Sequence, residues 1–155
     1  MTTAILLGAI LLTVTIPVWL VVGLLVDLVM RRFRFPTPRL LAFGTLWCWL
    51  EMGGVLGAIA TWIVGRARDM RVQYALQRWW AASIIRSLRL TCGLRITVDG
   101  ADRFPDGPNV CFVRHASLGD ALVSAWIIGS LAHRFPRYVM KRELLLDPCL
   151  DVVGQ

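Results

Sequence analysis

The sequence predicts an α/β chain in two parts, an N-terminal membrane helical hairpin followed by the first β-α-β part of an α/β domain. Three observations support this fold class. Two long apolar blocks occupy the first 65 residues, short strand-like runs begin after residue 92, and turn residues separate those runs. Hydrophobic residues make up 57% of the chain, which is high for a soluble domain of this length.

The first apolar block carries no charged residue from Met1 to Val26. Roughly 20 helical residues cross a bilayer core, so this block is long enough to span one. A signal peptide is not indicated, because no basic residue precedes the block and no small-residue cleavage site ends it before Arg31.

The second apolar block runs from Leu40 to Gly65 and is interrupted only by Glu51. Gly53 and Gly57 give it a small-residue face suited to close helix packing. A basic turn with two prolines, residues 31–39, separates the blocks and excludes one continuous helix. Residues 1–65 are therefore predicted to form a membrane-embedded helical hairpin.

Basic residues flank both apolar blocks, and this leaves the orientation of the hairpin open. Basic loops favour the cytoplasmic side, so two full spans would place one basic cluster outside. A second block that does not span fully would leave both clusters, and the region that follows, on the cytoplasmic face. Glu51 fits either a functional acid in the membrane or a structural contact with the first helix.

Residues 66–91 have the periodicity of a basic amphipathic helix. Arg71, Arg78, Arg86 and Arg89 share one side, and Leu76, Trp80, Ile84 and Leu88 share the other. Such a helix suits the lipid headgroup region. The same pattern is also typical of a helix that packs on a soluble core with its arginines in solvent.

The net charge of +7 indicates an anionic partner. Because the charge adjoins apolar blocks, membrane lipids are favoured as partners over nucleic acid. The four cysteines, Cys48, Cys92, Cys111 and Cys149, show no paired spacing. Neither a disulfide framework nor a metal site is predicted.

Residues 92–155 are predicted to be the N-terminal part of an α/β domain. Strands are expected at Leu94–Val98, Val110–Val113 and Tyr138–Lys141, with a helix from Ser117 to about His133 between the last two. This order implies parallel strands joined by a right-handed crossover. Ligands of such sheets bind at the carboxyl ends of strands, where His115 lies.

His115 and Asp120 form a candidate proton-transfer pair. With His115 on the turn and Asp120 in the first helical turn, the carboxylate could fix the imidazole tautomer and leave the other nitrogen to accept a proton. A structural alternative is a helix cap, because Ser117 and Asp120 also match a capping box in outline.

The same residues resemble the 1-acyl-sn-glycerol-3-phosphate (lysophosphatidate) acyltransferases of the glycerophospholipid acyltransferase family. The likeness lies in R-H-A-S-L-G-D, the preceding G-L-R-I-T-V-D-G and the following V-M-K-R-E-L-L-L-D-P-C-L-D-V-V-G, and it covers about residues 92–154. An apolar N-terminus is usual for that family.

The resemblance implies acyl transfer from acyl-CoA or acyl-carrier protein, as co-substrate, to the free hydroxyl of a lysophospholipid. His115 would be the general base and Asp120 its orienting partner, with no covalent acyl-enzyme and no bound cofactor. Ser117 would be a helix cap and not a nucleophile, and Lys141 would help to hold phosphate or shape the site. The candidate substrate-binding residues are Arg114, Ser117 and Lys141.

Two departures from the family pattern bear on this expectation. Arg114 stands where the family usually has asparagine, and the family's later phosphate-binding blocks have no counterpart up to Gln155. The chain is therefore expected to be an N-terminal fragment. The alternative function is a non-catalytic, membrane-anchored lipid-binding or interaction protein, which would need neither His115 nor those blocks.

Overall fold

The computed structural model describes residues 2–100, 103–104, 107–114 and 118–137. Within these ranges the chain forms α1 (Thr2–Val29), α2 (Pro36–Ile63), α3 (Met70–Cys92) and α4 (Leu118–Trp126), and α4 continues as a π-helical segment, Ile127–Leu131. Each helix packs mainly on the one before it in the chain.

Helices α1 and α2 occupy the two apolar blocks. Each has 28 residues, about 42 Å of helix, and each is long and apolar enough to cross a membrane. Within α1, the hydroxyls of Thr13 and Thr15 donate to the carbonyls of Ala9 and Leu11, so these polar groups have partners in their own helix. The prediction of two such helices is confirmed.

A tight turn at residues 30–35 joins α1 to α2. Arg31 and Phe35 both adopt the left-handed conformation, and Pro36 opens α2 at a position where its missing N–H costs nothing. The carboxylate of Asp27, near the end of α1, accepts hydrogen bonds from the backbone N–H of Thr37 (2.9 Å) and from its hydroxyl (2.8 Å). Asp27 therefore caps the next helix, not its own.

Hydrogen bonds show that α1 and α2 are antiparallel over much of their length. Besides the Asp27–Thr37 pair at the turn, the Trp49 indole N–H donates to the Thr13 hydroxyl at 2.9 Å. These contacts join later residues of α1 to earlier residues of α2, and the reverse, which is the register of an antiparallel pair.

Helix α3 runs back along α2. The Gln73 amide donates to the Thr61 hydroxyl at 3.4 Å near one end, and the Cys92 thiol lies 4.0 Å from the carbonyl oxygen of Arg39 at the other. Between them, Gly53 and Gly57 let the side chains of Trp79 and Leu76 approach the α2 backbone. The small-residue face therefore packs against α3.

Asp69 starts α3 as its N-cap. Its carboxylate accepts a hydrogen bond from the backbone N–H of Arg71 and forms a salt bridge with Arg66, both at 3.0 Å. The Arg66 hydrogen bond, followed by the backbone donors of the first turn, lowers the pKa of the Asp69 carboxyl below its usual value. The helix ends at Gly93, which takes the left-handed conformation that a C-terminal glycine supplies.

The main apolar core lies between α2, α3 and α4. Its buried centre consists of Phe43 from α2 and Trp80, Ala81 and Ile84 from α3. Partly buried residues of all three helices surround it: Trp47, Leu50, Leu76, Leu88, Cys92, Leu122 and Ala125. Glu51 is also buried, at 5% exposure, and accepts a hydrogen bond from the Trp47 indole N–H at 2.6 Å.

The predicted α/β fold is wrong. The described residues contain no β-strand, and the helix that follows residue 117 packs on α3 instead of crossing between parallel strands. Leu94–Val98 and Val110–Val113 are irregular, and the third predicted strand, Tyr138–Lys141, lies outside the described residues.

The physical reason is the absence of pairing in the described segments. Alternation along 94–98 and an apolar run at 110–113 favour extended backbone, but a strand also needs a neighbour that exchanges N–H and C=O hydrogen bonds. Neither segment has such a neighbour among the described residues, and Phe112 is 95% exposed where a buried strand was expected.

Candidate functional site

The structure describes two of the five predicted site residues. Asp120 lies in the first turn of α4, half-buried, and Arg114 lies exposed in the segment that leads to this helix. The other three, His115, Ser117 and Lys141, lie outside the described residues. The placement of Asp120 in the first turn agrees with the position that both the catalytic and the capping interpretation require.

Asp120 and Arg114 line the same groove. Its volume is about 530 Å³, and it is formed by α4, the 111–114 segment and Phe104. Most of its lining is apolar: besides Phe104, the aliphatic side chains are those of Val113, Val123, Ile127 and Ile128. The groove therefore combines one carboxylate and one guanidinium with a surface suited to hydrocarbon.

One face of α4 supplies half of this lining. Asp120, Val123, Ser124, Ile127 and Ile128 follow the spacing i, i+3, i+4, i+7 and i+8, which places them along one side of a helix. Sequence reasoning singled out Asp120 and missed the other four. The same spacing, counted forward from Asp120, would have identified them.

The neighbouring face of α4 fixes the helix on α3. Leu122 and Ala125 pack against the apolar core, and the Arg89 guanidinium carbon lies 4.8 Å from the centre of the Trp126 ring, a cation–π contact. Further along, the rings of Tyr74 and Phe135 stack with their centres 4.6 Å apart. Helix α3 thus holds the carboxylate-bearing wall of the groove in place.

A change of helix type occurs within the groove. From Ile127 onward the backbone adopts the wider π-helical turn, and the N–H of Ala132 donates to the carbonyl of Ile127 at 3.0 Å. Single π-helical turns often lie at functional sites, because they shift the side chains that follow relative to a regular helix. Here the transition begins at two residues that line the groove, Ile127 and Ile128.

Metal chemistry has no support from the described part of the chain. Within it, no group of three or more histidine, cysteine, aspartate or glutamate side chains could hold a metal ion. The groove carries the carboxylate of Asp120, on a regular helix, and the guanidinium of Arg114.

Comparison with known proteins finds no matching family model, no matching characterised protein and no matching solved structure.

Proposed function

We propose that the protein is an acyltransferase that works at a membrane surface. It moves a fatty acyl group from acyl-CoA or acyl-carrier protein to the free hydroxyl of lysophosphatidate or a related lysophospholipid. The observation that carries the proposal is the shared helix face on which Asp120 and aliphatic side chains line one groove. A fatty acyl chain needs an apolar surface, and its transfer to a hydroxyl needs a proton acceptor nearby.

The resemblance of residues 92–154 to lysophosphatidate acyltransferases supplies the chemistry. His115, which directly follows Arg114 of the groove in the sequence, accepts the proton of the acceptor hydroxyl. The hydroxyl oxygen attacks the thioester carbonyl, the carbon–sulfur bond breaks, and the proton passes from the imidazole to the departing thiolate. Asp120 accepts a hydrogen bond from the other imidazole nitrogen and stabilises the imidazolium.

The guanidinium of Arg114 in the groove supports an anionic acceptor. Arg114 is exposed and lines the groove, and a guanidinium binds phosphate with two parallel hydrogen bonds. Lys141 is the second basic candidate by resemblance. The two apolar helices α1 and α2 support a location at the membrane, where a lysophospholipid resides.

The test uses protein expressed from its complete natural reading frame and reconstituted in vesicles with lysophosphatidate and acyl-CoA. General base catalysis contributes typically about 10² to 10⁴ in rate, so His115→Ala should lower kcat by at least about 10²-fold. Asp120→Asn should also lower kcat, because it removes the charge that stabilises the imidazolium. The control is Asp99→Asn, an exposed acid that does not line the groove.

Full acylation by the His115→Ala protein would refute the proposed mechanism. Absence of acylation by the wild-type protein, with lipid binding retained, would favour the alternative of a non-catalytic lipid-binding protein. The exposed apolar helices and the arginines of α3 are sufficient for that alternative without any contribution from His115.

A further inference from the structure

The outer face of α1 is an exposed apolar surface that runs the length of the helix. Its most exposed row follows alternating steps of four and three residues and comprises Leu7, Leu11, Val14, Val18, Val21, Leu25 and Leu28. The outer side of α2 continues this surface through Leu56, Ile59, Trp62 and Ile63. An exposed apolar area of this extent marks a surface that contacts lipid or another protein.

The opposite side of the helix layer is basic. On α3, Gln73, Leu76, Trp80 and Ile84 face α2, whereas Arg71, Arg78, Arg86 and Arg89 project on the far side and are exposed. We call these four residues the arginine row. Passing from the outer face of α1 through α2 to the far side of α3, the surface changes from apolar to cationic, and this change runs perpendicular to the helix axes.

The length of the α2–α3 contact links the depths of the two helices. Contacts extend from Thr61–Gln73 to Arg39–Cys92, so α3 accompanies α2 along nearly its whole length. If α2 crossed the bilayer upright, the middle of α3 would lie at the bilayer centre. Arg78 and Arg86 would then be exposed to hydrocarbon, which is unfavourable for a charged side chain.

The conflict disappears if the helices lie parallel to the membrane plane and the layer stands on edge, with α1 below α2 and α2 below α3. Packed helices are about 8–10 Å apart, so the axes of α1 and α3 are separated by roughly 16–20 Å across two steps. One leaflet contributes about 15 Å of hydrocarbon, half of the 30 Å core, with headgroups above it. The arginine row can therefore sit at the phosphates of one leaflet while α1 lies at about the centre of the bilayer.

We infer that α1, α2 and α3 lie parallel to the membrane plane, with α1 deepest, near the bilayer centre, and the arginine row at the lipid phosphates of one leaflet. This arrangement also places the two basic turns, residues 30–35 and 64–69, on the same side of the membrane. The inference rests on the membrane location in the proposed function, and not on the acyl transfer. The occupant of the apolar face is the hydrocarbon of a bilayer leaflet that contains anionic lipids.

Depth measurements at two matched positions test the inference. Val18 and Arg86 both lie near the midpoint of the helix layer along its axis, one on α1 and one on α3. The full chain, with its native cysteines replaced, is spin-labelled at Val18→Cys or Arg86→Cys and added to preformed vesicles of neutral and anionic phospholipid. Helices parallel to the membrane place the Val18 label deep, accessible to oxygen, and the Arg86 label at the surface, accessible to a water-soluble nickel complex. Helices that cross the membrane place both labels deep.

A second measurement uses the two turns. Arg34→Cys and Arg68→Cys each remove one exposed arginine, and each is treated from outside the vesicles with a membrane-impermeant maleimide. Helices parallel to the membrane give complete labelling at both sites, because both turns then lie on the outer side. If the helices cross the membrane, each molecule exposes only one of the two turns. The labelled fractions of the Arg34→Cys and Arg68→Cys proteins would then add up to one, and this result would overturn the inference.

Two other outcomes are separable from these. Protein that stays in solution without vesicle contact would refute both the inference and the membrane location in the proposed function. Protein that binds vesicles but keeps the Val18 label inaccessible to oxygen, with spin–spin broadening between copies, would assign the apolar face to a second chain. That result would overturn the inference and leave the proposed acylation standing.

Discussion

Asp27 is an acidic residue at a position with 0% exposure, and its structural role follows from where its hydrogen bonds go. Both carboxylate oxygens accept hydrogen bonds from Thr37, the second residue of the following helix. A carboxylate at a helix N-terminus satisfies donors that have no partner within the helix and interacts favourably with its dipole. One acidic residue at the end of α1 thereby fixes the start of α2.

The hydroxyl of Thr37 offers a selective way to weaken this cap. Thr37→Val keeps the size of the side chain and the backbone N–H, but leaves one buried oxygen of Asp27 without its donor, a loss of about 1–3 kcal/mol in the free energy of unfolding. Denaturant-induced unfolding in detergent micelles, followed by circular dichroism, measures it. Thr45→Val is the matched control, because its hydroxyl donates only to a carbonyl of its own helix, that of Leu41. Equal effects of the two substitutions would contradict the role assigned to Asp27.

At the other turn, Asp69 gives a prediction on pH. Because the folded state lowers the pKa of this carboxyl, its contribution to stability is complete above the ordinary aspartate value, about 3.9, and is lost as the pH falls through the lower folded value. Carbon-13 titration of the carboxyl should therefore give a pKa below 3.9. Arg66→Ala should raise it, since the Arg66 hydrogen bond is the largest cause. The neighbouring Arg68→Ala should change it less, and an unchanged pKa in Arg66→Ala would refute the assignment.

Among the helices, α2 has the central position, because it packs on α1 and on α3. Two of its glycines explain how α3 comes so close to it. A Cβ atom at Gly57 would lie 2.7 Å from Cδ1 of Leu76, and one at Gly53 would lie 3.1 Å from Cη2 of Trp79. Small residues at these positions let the larger side chains of α3 reach the backbone of α2.

Enlarging Gly57 should therefore separate α2 from α3. Gly57→Leu adds a side chain where no space exists, and overpacking of this kind costs typically about 1–3 kcal/mol. Gly44→Leu is the control on the same helix, since a Cβ atom at Gly44 would meet nothing within 4 Å. Unfolding in detergent and disulfide crosslinking of cysteines placed at Thr61 and Gln73 should both show a larger loss for Gly57→Leu. Leucine has a higher helix propensity than glycine, so Gly44→Leu should not destabilise α2, and a loss of equal size there would contradict the packing role assigned to Gly57.

At the scale of the whole molecule, the sequence was informative wherever the signal is local. Runs of apolar residues identified α1 and α2, and the 3.6-residue period of Arg71 to Arg89 identified the exposed side of α3. These signals depend on residues one to four positions apart. The structure confirms helices where such signals are strong.

Features that depend on distant partners could not be obtained in this way. Alternation at 94–98 indicates extended backbone but does not specify a pairing strand, and the described residues contain none. Likewise, the small-residue face of α2 indicated close packing without indicating that α3 is the partner. Of the residues that line the groove, only Asp120 and Arg114 were predicted, because the other lining residues come together only where α4, the 111–114 segment and Phe104 meet in the fold.

The Asp27–Thr37 pair also imposes an order on biosynthesis. The donors for the carboxylate lie ten residues further along the chain, so they leave the ribosome after α1 is complete. Until Thr37 emerges, entry of α1 into lipid would carry the Asp27 carboxyl group into hydrocarbon without these hydrogen-bond donors, which is costly. Helix α1 is therefore expected to wait at the membrane surface and to enter lipid together with α2, as a pair already joined at its turn.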